Sequence, residues 1–570
     1  MKKILIPLMI VFMLVVCVAC APPNVETGSE EPKQTPITEP EGEQPPQKKV
    51  LTMAVSGAFD NLDPRVLLST SHQQVQTAFL EPLVRSVGND IKEGMATSWE
   101  ISDEGKTYTF KLRDAIWSDG KPVLAGDFVH AFRRLFEVCP ASPIFDDILN
   151  GAEYRAGEVP AEELGISAPD DKTFVIKLKA PVPYFLGLIS APFAGPGRED
   201  LLEKYGEAYG ASAESLVSNG PFILKEWIAE DKVVLVKNPD YWNAEAIKLD
   251  EVVFNIIPDM NTQRNLFDND EIDILIPSSP ADIVGKDGLQ AYRDRGEVVE
   301  FESGGVRCFQ LNKYGYGADP EKAKIISNPN FMKAISYALD RQAWVDGPMN
   351  GLGLPATVQT PAAHSVYPGK TWGEVTTNIG KYHPEIADLE KSQEYLQSVM
   401  DDMGYKSVDE FPEFVFLTTD SPEDQTSVTA YVYSVLRNMG LKVKIVNKTG
   451  SDFYNALYKP ALGYDIARAG WGPDYDDPHT YMGYWNSKST DMGVTFDNPE
   501  FDTLLDAANN ETDLVKRAEI LVEAEALFSD IAPCIPFTHN KGIAFVKPYV
   551  KGIVTSISGI SINYIYADIE

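Results

Sequence analysis

Hydrophobic residues recur along this chain at two spacings. Thr107–Leu112 alternates strictly, with Tyr108, Phe110 and Leu112 on one face and Thr109 and Lys111 on the other, the period of a half-buried strand. Phe174, Ile176 and Leu178 repeat the pattern, and Leu51–Val55, Lys232–Lys237 and Val252–Ile257 read as further strands. Phe128, Phe132, Leu135 and Phe136 fall instead on one helical face, in a helix that starts at Gly126 and Asp127 with Asp127 as its N-cap. A helix from Ser71 to Leu80 precedes them, after the turn Asn61–Pro64.

Past Gly304 the pattern changes. Val306–Asn312 reads as a strand, Phe331, Ile335 and Leu339 mark a helix, and Phe414–Leu417 is a second strand. Val428, Val432, Val435, Leu436 and Met439 give an amphipathic helix stopped by Gly440, and Leu441–Val446 returns as a strand. That β-α-β order implies a right-handed crossover and a partly parallel sheet, hence an α/β fold. A last helix, Thr512–Ser529, is expected to bury Leu514, Ala518, Leu521 and Phe528, before short strands at Ile535–Phe537 and Ile543–Val546.

One stretch carries unusual chemistry: Arg468–Thr480, R-A-G-W-G-P-D-Y-D-D-P-H-T. A short strand, Tyr464–Ala467, runs into it. Gly470, Gly472 and Pro473 should then break regular structure and present Trp471, Asp474 and Tyr475 on an irregular loop. An arginine, an indole and several carboxylates suit a charged ligand with apolar parts, although Asp, Pro and Gly also dominate plain turns.

The ends change the picture. Lys2 and Lys3 precede an apolar run, Ile4–Ala19, too short for a comfortable membrane span and right for a secretory signal. The run ends in C-V-A-C, similar to the lipobox of bacterial lipoproteins, which makes Cys20 the candidate lipidated residue; ordinary cleavage near Ala21 is the alternative. The segment Ala21–Lys49, rich in Pro, Glu, Thr and Gln, cannot bury enough surface to fold and reads as a stalk. No second apolar run is long enough to span a bilayer.

A net charge of −34 argues against nucleic acid or an anionic membrane surface as partner. With Cys17 and Cys20 set apart in the leader, Cys139, Cys308 and Cys534 form no C-x-x-C, and the six histidines lie far apart, so neither a disulfide framework nor a metal site is expected. No G-x-S-x-G, H-E-x-x-H or Cys/His nucleophile pattern appears, and D-Y-D-D lacks the glycine and distal glutamate of an EF-hand. No enzyme activity and no cofactor are expected.

Seven blocks in order carry a resemblance. They are N-L-D-P (Asn61–Pro64), W-E-I-S-D-E-G-K-T-Y-T-F-K-L-R-D (Trp99–Asp114), W-S-D-G-K-P-V with G-D-F-V-H-A-F-R-R (to Arg134), S-N-G-P-F-I-L-K-E-W (Ser218–Trp227), N-P-D-Y-W-N, A-I-S-Y-A-L-D-R (Ala334–Arg341), and W-x-x-D-Y-x-x-P from Trp471. The chain resembles the extracytoplasmic solute-binding proteins of peptide ABC importers, the oligopeptide- and dipeptide-binding family.

The resemblance implies a two-lobed periplasmic-binding-protein-like α/β fold with a hinge and an inserted domain. Mapped here, residues 1–19 are the signal, 20–49 the lipidated cysteine and stalk, 50–88 with 190–303 and 537–570 lobe I, 89–189 the inserted domain, and 304–536 lobe II. It also implies short peptides bound in extended form between closing lobes, delivery to transmembrane permease subunits, a monomer, and attachment to the extracytoplasmic face of the cell membrane by the lipid alone. Asp474 occupies the position that holds the peptide's α-ammonium. Arg468 would neutralise Asp474 or neighbouring acids, or meet peptide carbonyls. Gly470, Trp471 and Gly472 would line the cleft, and Lys459 would meet an acidic side chain. The strand Arg307–Asn312, with Cys308, Gln310 and Asn312, matches the segment that pairs with the peptide backbone. Other family solutes (metal complexes, haem, oligosaccharides) and peptide sensing without uptake remain open on the same fold.

Overall fold

The structure, a computed structural model, describes residues 48–570 except 58, 67–68, 89, 140–141, 278–284, 313–318, 377–378, 380–381, 421–427, 459–462, 488–495, 532 and 559. The signal run, Cys20 and most of the stalk lie outside the described residues, as does Lys459.

One sheet of eleven strands runs through the molecule. In chain order they are β1 (Val50–Val55), β2 (Phe222–Ile228), β3 (Lys232–Lys237), β4 (Glu251–Ile256), β5 (Ile274–Leu275), β6 (Val298–Leu311), β7 (Gly353–Pro355), β8 (Phe414–Thr419), β9 (Val443–Lys448), β10 (Ile466–Trp471) and β11 (Cys534–Val546). Their order across the sheet is β9-β8-β10-β6-β11-β5-β1-β4-β3-β2, with β7 beside β11. β8 pairs in parallel with β9 across the helix Thr429–Asn438, the partly parallel arrangement the β-α-β order requires. Gly440 follows that helix at φ +85°, a left-handed conformation that glycine adopts without steric cost.

β6 and β11 pass through both halves of the sheet. Val298–Glu302 pair with Phe545–Lys541 next to β5, and Val306–Gln310 with His539–Cys534 next to β7; the register slips between Glu302 and Val306. The two short terminal strands expected from sequence are therefore one long strand, β11, because Thr538–Gly542 stay in the ladder despite their polarity.

A second, four-stranded antiparallel sheet joins Ala96–Ser102, Thr107–Leu112, Thr173–Lys177 and Ile166–Asp170 in that order. The helix Ala125–Val138 covers it, with Phe128 and Phe132 each 5.6 Å from the Phe174 ring. The N-cap of that helix is Leu124. Asp127 stands one turn inside, and its carboxylate accepts from the Leu124 N–H at 3.1 Å and the Trp117 indole N–H at 2.9 Å. The helix Leu514–Ile531 buries Ala518, Leu521 and Phe528 as expected, but Leu514 opens its first turn and is exposed.

Candidate functional site

The sequence expectation placed the end of a strand at Ala467. The ladder instead continues to Trp471, pairing Arg468 with Phe309, Gly470 with Arg307 and Trp471 with Val306. Gly470 sustains it because a Cβ there would come within 2.9 Å of the Val306 carbonyl oxygen; the glycine permits close approach of two strands rather than breaking one. The loop begins only at Gly472, where an added Cβ would meet nothing within 4 Å.

The loop after Trp471 is pinned from within. The Thr480 hydroxyl oxygen accepts from the Trp471 indole N–H (3.4 Å) and the Asp474 N–H (3.2 Å), while the Trp471 ring leans on Tyr484 at 4.8 Å. Asp476 accepts from the Ser365 N–H at 2.9 Å and lies 3.0 Å from His364 Nδ1. Burial pushes the Asp476 carboxyl up, but His364 and Ser365 outweigh it and hold the group below its ordinary range. Asp477 takes a bidentate pair from buried Arg517 at 2.8 and 2.9 Å. These two acids are thus structural partners of the loop.

Asp474 differs. Among the described residues nothing hydrogen-bonds or ion-pairs with its carboxylate. The side chain is open to solvent, yet it stands in a recess of about 60 Å³. The recess strips water from the charge and raises its pKa to about 6. The opposite walls of the recess come from distant sequence: Thr77 and Arg85, Gly187 and Ser190, and Ser556 and Asn563. Arg85 is already neutralised, by Glu81 at 2.5 Å. A carboxylate in a partly dehydrated recess can accept charge-assisted hydrogen bonds from a cationic group.

Several expectations need correction. Arg468 is half-buried on β10 and makes no ion pair with Asp474, because the strand carries it to the Phe309 position, six residues and a loop away. Cys308, Gln310 and Asn312 are buried: Cys308 packs with Ala469 and Cys534, Gln310 donates to the Tyr464 hydroxyl at 2.8 Å, and Asn312 donates to the Tyr464 carbonyl at 2.8 Å. β6 has a strand on each side over Val306–Gln310, so that stretch offers no free edge to an added strand. Cys139, Cys308 and Cys534 form no disulfide with one another.

Sequence reasoning missed the far wall, since serines and an asparagine spread over hundreds of positions carry no local signal. It also missed the partners of the loop, His364 and Arg517.

Comparison with known proteins places the whole arrangement. Residues 90–493 match the model of bacterial extracellular solute-binding proteins, family 5 Middle. The oligopeptide-binding protein OppA of Bacillus subtilis is 28% identical over 474 residues, covering 82% of this chain and 83% of the relative. The periplasmic oligopeptide-binding protein OppA of Salmonella typhimurium is 28% identical over 523 residues, covering 90% and 91%. The crystal structure of Haemophilus influenzae OppA in complex with the peptide RPPGFSPFR superposes with a TM-score of 0.73 at 26% identity, covering 92% of this chain and all of that one. The fold is the two-lobed α/β fold of such binding proteins, and the chain belongs to the bacterial extracellular solute-binding proteins of family 5.

Proposed function

We propose that this protein is the peptide receptor of an ABC importer, binding short peptides between two lobes and handing them to transmembrane permease subunits. The observation that carries the reading is Asp474: a carboxylate with no hydrogen-bond or ion-pair partner among the described residues, in a recess whose other walls come from within residues 73–88, 187–192 and 556–563. A peptide's α-ammonium supplies three donors and the missing charge. Peptide-binding relatives over most of the chain's length support the same class of ligand.

In this reading lobe I is 50–88, 190–303 and 537–570, the inserted domain 89–189, and lobe II 304–536. The slip between Glu302 and Val306, with Gly304 at φ +65°, is the flexing point. Closure brings Asp474 against lobe I, and the closed form is what a permease would read. With β6 enclosed, the peptide backbone meets the loop from Gly472 to Asp474. Cys20 would carry the lipid that keeps a monomer at the extracytoplasmic face. As a receptor, the protein would perform no chemistry on its ligand.

The test is calorimetry with one tetrapeptide in free and N-acetylated form. Acetylation should weaken binding at least 100-fold, about 2.7 kcal/mol. Equal affinities would remove Asp474 from the role of amino-terminus anchor.

A further inference from the structure

The recess at Asp474 extends beyond the carboxylate, and its far wall has a definite hydrogen-bonding character. Ser86, Ser190 and Ser556 line it. Each hydroxyl has one proton, and each proton is committed: Ser86 donates to the Gly88 carbonyl (3.0 Å), Ser190 to the Gly187 carbonyl (2.7 Å), and Ser556 to the Gly88 and Ser558 carbonyls (3.1 and 2.8 Å). What remains to offer a ligand is lone pairs. On the donor side stand the Asn563 amide, whose oxygen already accepts from the Ile565 N–H, and the Thr77 hydroxyl proton, whose oxygen accepts from Arg85. The Gln73 carboxamide lines the recess as well, so the wall is mixed, with both acceptors and donors.

Its charge is balanced. The Arg85 guanidinium spends its donors on Glu81, Thr77 and the Leu80 carbonyl, and its charge on Glu81, which Tyr241 also contacts at 2.9 Å. Among the described residues, no acid other than Asp474 lines the recess. Small residues, Gly88, Gly187 and Ala191, leave room for a side chain.

We infer that this recess is the subsite for the side chain of the ligand's first residue, and that it selects a neutral side chain carrying both a donor and acceptor, a hydroxyl or a carboxamide. The inference rests on the reading that Asp474 holds the α-ammonium, which places the first side chain beside it. A hydroxyl or carboxamide meets the serine lone pairs with its proton and the Asn563 amide with its oxygen. An apolar side chain of the same shape displaces water from those groups and returns nothing, leaving them unpaired. A cationic side chain finds no second acid and faces Arg85.

Near-isosteric ligands isolate this effect from size. Tetrapeptides Thr-Ala-Ala-Ala and Val-Ala-Ala-Ala, and the pair led by Gln and Met, are titrated into the protein by calorimetry. The hydrogen-bonding member of each pair should bind about 10-fold tighter or more. In a variant carrying Ser86→Ala and Ser190→Ala, both at half-buried positions, the gap between the members of each pair should shrink to about 2-fold. If Val- and Thr-led peptides bind equally well, or the gap survives in the variant, the subsite is refuted and the peptide reading stands. If no tetrapeptide binds at all, the peptide reading falls and the subsite with it.

Discussion

Tyr184 and Tyr475 stack face to face, with ring centroids 4.0 Å apart and planes 4° from parallel. His479 extends the stack, its ring 5.1 Å from Tyr184 and its Nδ1 3.0 Å from the Tyr475 hydroxyl. Tyr475 follows Asp474 directly, and Gly187 lies beneath it, where a Cβ would sit 3.5 Å from the Tyr475 Cβ. In the proposed division this stack joins the inserted domain to lobe II, so it forms as the lobes meet. An aromatic pair of this kind contributes about 0.5–1.5 kcal/mol beyond its area. Tyr184→Ala should therefore lower peptide affinity roughly 3- to 10-fold, mostly through faster dissociation. Stopped-flow release of a labelled peptide measures it, and an unchanged off-rate removes the latch.

Asp474 gives a pH dependence of known sign. Its pKa in the ligand-free protein is raised to about 6 by the loss of water around it in the recess, and only the ionised form pairs with an ammonium. Affinity should level off about one unit above that pKa and fall by up to tenfold per unit below it. For stability the sign reverses. Because the folded pKa lies above the ordinary carboxylate value, the folded state holds the proton more tightly than the unfolded chain between about pH 4 and 6. Ionised Asp474 thus weakens the ligand-free fold above pH 6. Asp474→Asn at pH 7 should keep or slightly raise the melting temperature while peptide binding collapses, a separation that a merely structural aspartate would not give.

The Arg517–Asp477 pair is buried on both sides, with Arg517 1% exposed and Asp477 6%. Removing one partner strands a charge, so Arg517→Ala should cost about 3–5 kcal/mol. Replacing both, as Arg517→Met with Asp477→Leu, should recover much of that. Urea midpoints decide it: a double variant as unstable as the single one would show that the pair does more than neutralise itself.

Gly304 touches the site loop. At φ +65° it already favours glycine, and a Cβ there would lie 2.6 Å from Pro473 Cγ and 2.8 Å from the Ile557 carbonyl oxygen. The Tyr481 hydroxyl, itself 2.7 Å from His364 Nε2, donates to the Gly304 carbonyl, tying the slip in β6 to the residues that hold Asp476. Gly304→Ala should cost about 1–3 kcal/mol and, by moving Pro473, loosen peptide binding about tenfold. Thermal melts and calorimetry together test this; normal affinity in the variant would uncouple the slip from the site.

What could be read from the residues alone follows a physical line. Thr107–Leu112 and the helix after Leu124 were legible because each buries one face, and burial writes a period into the sequence. β10 was legible only to Ala467, because Arg468 and Gly470 look like breakers until the strand beside them is known. The first half of β6 was missed for a related reason: Glu300 and Glu302 interrupt its apolar run, and its pairing partner lies some 240 positions away. Asp474 was identifiable from W-x-x-D. That Arg468 makes no ion pair with it was not, since the pairing of Arg468 with Phe309 on β10 depends on the folded chain. Cys308, Gln310 and Asn312 mark the converse: a motif position names a strand but not whether both edges are taken.

The sheet order fixes when the molecule can be finished. β1 lies between β4 and β5, and β5 pairs with the end of β11, so the first strand and the last share one wall. Lys49 pairs with Asp568, and the Tyr564 hydroxyl donates to the Gln74 carbonyl at 2.6 Å. Contacts of such separation demand the closure of very long loops and fold slowly. The outer contact of β5 therefore waits for the end of the chain, and a chain cut before β11 should leave that edge of the sheet uncovered and destabilise the lobe it belongs to.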